Sequence, residues 1–191
     1  MEQNFIHWAI TDGPSLKEIV EPQKGEDLKV IVVFVASGDQ RYEIDLTALH
    51  NKPMTGTDLV IRGVVFDNAT VEFRGLIDIK KGAKQSKAFL RADALLLGDK
   101  AHADLIPSLS INENEVQAGH GATVGRINDE QLFYLMSRGL SRERALELLV
   151  RGFLSAVLKQ LPQKSKVKVE QALEKIYARR PERLPYLQKA P

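Results

Sequence analysis

Cysteine is absent from all 191 residues. That excludes disulfides, thiolate zinc sites, iron–sulfur clusters held by this chain's own cysteines, and cysteine nucleophiles. Any sulfur or iron chemistry here needs ligands from a partner. Long apolar runs are missing too. The longest, Val30 to Ala36, is strand-sized and far short of the roughly 18 residues of a membrane span. Glu2 and the lack of a basic opening segment argue against a secretory leader, so the cytoplasm is the expected location. Only four histidines occur, and no HxH or HxxxH spacing pairs them, so a metal site built by this chain alone is not indicated. The single tryptophan, Trp8, lacks polar company and reads as packing. There is no GxSxG elbow and no GK[ST] phosphate loop, and no carboxylate pair stands out for acid–base work. Nothing marks an enzyme.

What is present fits one domain, or one domain with a small appendage. Apolar residues make up 43% and charged residues 27%, ordinary values for a chain that builds its own core. The net charge of +2 is unevenly placed. From Ser141 to Pro191 there are 12 Lys+Arg and 5 Asp+Glu, giving +7, and the remainder carries −5. These basic residues are spread at helical spacing, as on a solvated helix face. No basic motif interleaved with aromatics accompanies them, so nucleic acid is not an expected partner.

The period of the sequence changes once. Residues 1–27 read as an irregular cap, with turn signals at Asp12-Gly13-Pro14 and Glu21-Pro22 and one short helical turn capped by Ser15. Leu28 to Ala36 suits a strand buried on both faces, and Tyr42, Ile44 and Leu46 alternate with Glu43 and Asp45 as in a half-buried one. Residues 58–112 then hold three similar strand–turn–strand units, each with an alanine at the corner: Ala69, Ala83 and Ala101. Their returns are too short for helical crossovers. A stacked β-helix with small inward corners fits them, and an antiparallel β-sandwich is the alternative. From Asn128 the period becomes helical. Asn128 and Ser141 are N-caps, Gly139 is a C-terminal stop, and Pro162 ends the second helix. The chain therefore divides into a cap (1–27), a β-helix (28–127), a helical domain (128–180) and a loose tail (181–191).

At the junction lies Gly119-His120-Gly121-Ala122-Thr123-Val124-Gly125. Two glycines strip side-chain cover from His120, which suits a metal ligand, a proton shuttle, an interface contact or a structural histidine bonded to a turn carbonyl. Next comes Asp129-Glu130-Gln131-Leu132-Phe133-Tyr134-Leu135, then Ser137-Arg138-Gly139, where Leu132, Phe133, Leu135 and Met136 form an apolar stripe.

These two runs resemble the signature of the SufB/SufD family, scaffold proteins of iron–sulfur cluster assembly. Leu95-Leu96-Leu97-Gly98-Asp99-Lys100-Ala101, Ile106-Pro107-Ser108-Leu109, Arg62-Gly63-Val64-Val65 and Phe73-Arg74-Gly75-Leu76-Ile77 are similar to the same family. The likeness covers about residues 28–160. It implies a right-handed parallel β-helix followed by a C-terminal helical domain, and a protein that is not an enzyme. It also implies pairing through the β-helix, with a second copy or a SufB-like subunit, and docking of a SufC-like ABC ATPase on the helices. Gly121 after the histidine is SufD-like, because SufB typically carries glutamate there. Carried over, the resemblance puts His120, with Gly119, Gly121 and Thr123, at a subunit interface tied to cluster assembly. His120 is the one residue it offers as a metal ligand, to a transient cluster shared with a partner. Phe133, Tyr134, Ser137, Arg138, Gly139 and Phe153 become the ATPase-docking candidates, although Arg138 could instead tie helix to β-helix. Two departures stand out. The family is usually more than twice this length, and Ala118 stands where SufD proteins often have cysteine. Other readings are a degenerate SufD-like paralogue that only oligomerises or regulates, or a small His120-dependent metal-binding protein.

Overall fold

The computed structural model describes residues 4–11 and 15–179. Among these residues nine strands precede three helices: β1 (Asn4–Ile10), β2 (Ser15–Val20), β3 (Asp27–Ala36), β4 (Arg41–His50), β5 (Gly56–Phe66), β6 (Thr70–Ile79), β7 (Lys87–Leu97), β8 (His102–Ile111), β9 (Gln117–Arg126), α1 (Asp129–Ser137), α2 (Arg142–Leu158) and α3 (Gln163–Ala178). The odd strands form one parallel sheet, β1-β3-β5-β7-β9, and the even strands another, β2-β4-β6-β8. Each strand pairs with the one two further on, so the chain winds as a β-helix of about four turns. Asp27 pairs with Gly56, Gly56 with Lys87 and Lys87 with Gln117, steps of 29, 31 and 30 residues. An antiparallel sandwich is ruled out by this pairing.

The three alanine corners are half-turns of the coil, which explains their uneven spacing. In each, the alanine N–H donates to the carbonyl three residues back: Ala69 to Phe66 (3.1 Å), Ala83 to Lys80 (3.1 Å) and Ala101 to Gly98 (3.2 Å). Ala69 and Ala101 lie one above the other, with the His102 N–H donating to the Ala69 carbonyl at 3.0 Å, and Ala83 turns the opposite edge. All three are buried, as a small inward corner requires. The stacking is tight at this edge. A Cβ on Gly98 would sit 2.2 Å from the Asp67 carbonyl oxygen, so only glycine fits there.

The coil also takes in residues 4–10 and 15–20. Rather than an irregular cap with a helical turn at Ser15, β1 and β2 form a further turn, in register with β3 and β4. The inward face decides this. Ile6, Trp8 and Leu16 pack on the coil's interior, so a β-stack continues where turn residues alone suggested a cover. The expected tail, 181–191, lies outside the described residues.

Two apolar layers share the odd sheet. Val30, Val32, Phe34 and Ala36 face the coil interior, while Ile31, Val33 and Val35 face outward into a second core with Val64, Phe66, Leu95 and Leu97. That outer core takes Ala145, Leu146, Val150, Leu154, Val157 and Leu158 from α2, and Val169, Leu173 and Ile176 from α3. Hence β3 is apolar at every position from Val30 to Ala36. Helix ends follow the sequence signals. Asn128 Oδ1 accepts from the Gln131 N–H (3.0 Å) and Ser141 Oγ from the Arg144 N–H (3.3 Å). Gly139, at φ 90°, lets the Leu140 N–H reach the Leu135 carbonyl and its own N–H reach Met136, a Schellman stop.

Candidate functional site

Two surfaces hold the residues singled out by sequence: the β8/β9 end of the coil and the outer face of α1 and α2. At the first, alternation settles where everything points. The Gln117 N–H donates back to Ser86 (3.0 Å), so Gln117, Gly119, Gly121 and Thr123 bond to β7. The intervening Ala118, His120, Ala122 and Val124 turn their backbone groups to the free edge. In register they continue the inward columns of Ala88, Leu90, Ala92 and Ala94. His120 is thus an exposed side chain at a core position, uncovered because no strand follows on that side among the described residues. In β8 the His102 N–H donates to Ala69 and the Asn112 N–H to Ile79. Pro107 therefore falls on the edge-facing set, where its missing N–H costs no ladder bond. Ile111 and Val124 lie 43% and 44% exposed on this open end.

Gly119, His120, Gly121 and Thr123 come together along a shallow trough of about 450 Å³, walled also by Asp58, Phe89 and Arg91. A Cβ at Gly121 would meet nothing within 4 Å, so glycine here leaves the trough open. As a metal site the trough is poor. Among the described residues no three His, Asp or Glu side chains gather to hold an ion, and His102 instead pairs with Asp104 at 3.2 Å on a solvated rim.

On the helices, the expected apolar stripe divides. Leu132 is buried, but Phe133 (73%), Tyr134 (56%) and Met136 (41%) face outward, and Leu148 of α2 joins them at 50%. Tyr134 also lines an apolar groove of about 380 Å³ with Gln131, Leu135 and Leu149. Ser137 Oγ donates to the Tyr134 carbonyl (2.8 Å), and the Arg138 guanidinium lies 5.3 Å over the Tyr134 ring. Arg138 therefore presents a cation within the exposed patch; its described contact is not a tie to the β-helix.

Phe153 sits elsewhere, half-buried at the seam between α2 and the coil. Its ring lies 5.1 Å from the Arg62 guanidinium, and its carbonyl accepts from Arg62 Nη1 at 3.4 Å. Arg62 Nη2 also pairs with buried Asp93 at 2.5 Å, and Arg91 Nε reaches the same carboxylate at 3.1 Å. Phe153 thus belongs to a half-buried clamp at this seam, and it also lines a groove with Gln131, Leu148 and Leu149.

A buried histidine escaped the sequence reading. His50 is fully enclosed at a coil corner, its Nδ1 2.7 Å from Thr55 Oγ1 and its Nε2 3.0 Å from Thr57 Oγ1, with Ser86 Oγ 2.7 Å beyond Thr55. Burial among uncharged partners pushes its pKa down to about 4. The signal was His50 on the inward side of an alternating strand with hydroxyls five and seven residues on.

Residues 18–153, from β2 to the middle of α2, match the family described as SUF system FeS cluster assembly, SufBD core domain. The chain belongs to that family. An iron–sulfur cluster assembly SufBD family protein of Pyrococcus horikoshii is 36% identical over 174 residues, 89% of this chain and 39% of the relative. The iron-sulfur cluster assembly protein SufD of Bacillus subtilis is 35% identical over 164 residues, 82% of this chain and 37% of the relative. A SufBD family protein of Mycobacterium bovis is 36% identical over 154 residues, 81% of this chain but 18% of the relative. The SufBD chain described here thus spans less than two-fifths of these curated relatives. Among its described residues no helix is long and apolar enough to cross a membrane.

Proposed function

We propose that this SufBD chain is a non-catalytic scaffold of a Suf-type iron–sulfur cluster assembly complex. It works in the cytoplasm as a right-handed coil that pairs through β8 and β9, with a second copy or a SufB-like subunit. A SufC-like ABC ATPase docks on α1 and α2. The observation that carries the docking is the outward patch of Phe133, Tyr134, Met136 and Leu148, with Phe133 left 73% exposed on a helix that has a buried face available. Exposed aromatic and apolar side chains gathered beside a groove mark a partner surface. Ser137 and Gly139 shape the end of α1, and Arg138 adds a cation to the patch.

The pairing rests on a bare edge. β9 offers unpaired backbone groups at Ala118, His120, Ala122 and Val124, with no charged side chain on that set and glycines between. An incoming strand completes both ladder and core there. The cluster is cargo, not a resident group. With no cysteine, this chain could contribute one ligand, the exposed imidazole of His120, and the partner supplies the rest.

The docking is tested by titrating a SufC-like ATPase onto the chain and onto Phe133→Ala in calorimetry. The expected result is a loss of about tenfold or more in affinity, typical of an aromatic anchor, with thermal stability unchanged. Equal affinity for both proteins, or none for either, overturns the docking.

A further inference from the structure

Sulfur is scarce in this chain and lies at its surface. With no cysteine and three methionines, every sulfur present is a thioether. Two of the three, Met54 and Met136, fall among the described residues. Methionine ordinarily fills gaps inside a core. Neither of these does so. Met54 is 45% exposed and Met136 41%, and both stand outside the two apolar cores. Where no thiol competes, a thioether within reach of solvent is the group that a two-electron oxidant modifies.

The two sulfurs occupy unlike places. Met54 lies at the coil corner before β5. Its N–H donates to the Lys84 carbonyl (2.8 Å) and its carbonyl accepts from the Gly25 N–H (3.0 Å), so it belongs to the edge that Ala83 turns. The chain leaves for α1 from the other edge, where Arg126 Nη1 donates to the Gly98 carbonyl at 2.8 Å. Met136 lies in the last turn of α1. Phe133 is three residues before it, and side chains three apart on a helix are neighbours. Met136 therefore stands beside the most exposed aromatic of the patch that also holds Tyr134 and Leu148.

We propose that Met136 is an oxidation-sensitive switch on the docking face, turned off by hydrogen peroxide or a like two-electron oxidant. The sulfur lone pair attacks the peroxide O–O bond. One oxygen is transferred to sulfur, which is oxidised by two electrons to the sulfoxide, and the other oxygen leaves as water. A flexible apolar side chain becomes a polar one. Burying the new acceptor in a docked interface without a donor lowers affinity by about tenfold or more. A methionine sulfoxide reductase, taking two electrons from a dithiol, reverses the change. Oxidation of Met54 leaves this face untouched. The inference rests on α1 and α2 being the docking face for a SufC-like ATPase, and the two fail in distinguishable ways.

The 191-residue chain is treated alone with hydrogen peroxide, freed of it, and titrated with a SufC-like ATPase in calorimetry. Peptide mass mapping should show one added oxygen on Met54 and on Met136. Affinity should fall about tenfold or more, with thermal unfolding unchanged, and should return after reductase treatment. Met54→Leu should keep the whole of that fall. Met136→Leu, whatever its starting affinity, should show none. A chain oxidised at Met136 that binds as the untreated chain does overturns the inference. So does a fall that Met136→Leu leaves intact, a fall that comes with unfolding, or a Met136 that peroxide does not modify. An untreated chain that binds no ATPase brings down the docking face itself, and the switch with it.

Discussion

His50 shows how much one side chain can set. Its two ring nitrogens are taken by Thr55 and Thr57, and enclosure keeps it neutral, with a pKa near 4 against about 6.5 when unfolded. The unfolded chain therefore binds a proton that the folded chain refuses as pH falls from 6.5 towards 4. Stability is fully present above that window and is lost within it, by about 3 kcal/mol at most. Urea unfolding at pH 7 and pH 4.5 should show this loss in the parent chain. His50→Gln, destabilised overall, should show a smaller fall between the two. Equal falls would mean that other groups govern the acid response. Sequence could not reach this residue, because periodicity marks His50 as inward but says nothing of what lies across the coil. By contrast Ala69, Ala83 and Ala101 were legible, since steric room at a corner is a local property.

Among the elements, α2 and the odd sheet are joined by a charge, not by apolar contact alone. Asp93, with its side chain 6% exposed, takes Arg62 from β5 and Arg91 from its own strand, and Arg62 reaches over to Phe153. Removing one member of a buried pair strands the other. Asp93→Ala should cost about 3 kcal/mol in denaturant unfolding. Arg62→Ala should cost less, because Arg91 still faces the carboxylate. The reverse order would show that the Arg62 stem, not its charge, makes the joint. Element types were mostly readable. β3 from Val30 to Ala36 and β7 from Ala94 to Leu97 are apolar on both faces because helices cover one side, and the helix caps stood where Asn128, Ser141 and Gly139 put them. What misled was α1, where apolar spacing predicted an inward stripe. A pattern of Leu132, Phe133, Leu135 and Met136 looks the same whether the chain's own core or a partner covers it, and here only Leu132 is buried. β1 and β2 were missed for a related reason: short strands at a stack's end alternate weakly, since one edge faces water.

For the molecule as a whole, a coil in which each turn touches only its neighbours should behave as a stack of nearly independent steps. The helices change that. α3 packs on β1 and β3, α2 packs on β5, and their shared core spans four strands of one sheet, β1, β3, β5 and β7, like a splint. Leu173, fully buried in α3, should on replacement by alanine cost about 2–5 kcal/mol. Amide exchange of residues 4–10 should then speed up before that of residues 64–97, as followed by mass spectrometry. Uniform acceleration would mean one cooperative unit. The bond from Lys168 to the Ala9 carbonyl joins residues 159 apart in the chain. During synthesis, then, β1 leaves the ribosome well before α3 does. Its outer face stays bare until α3 has been made, so a segment translated early is secured late. In the interval it depends on β3, or on a chaperone, to keep from pairing elsewhere.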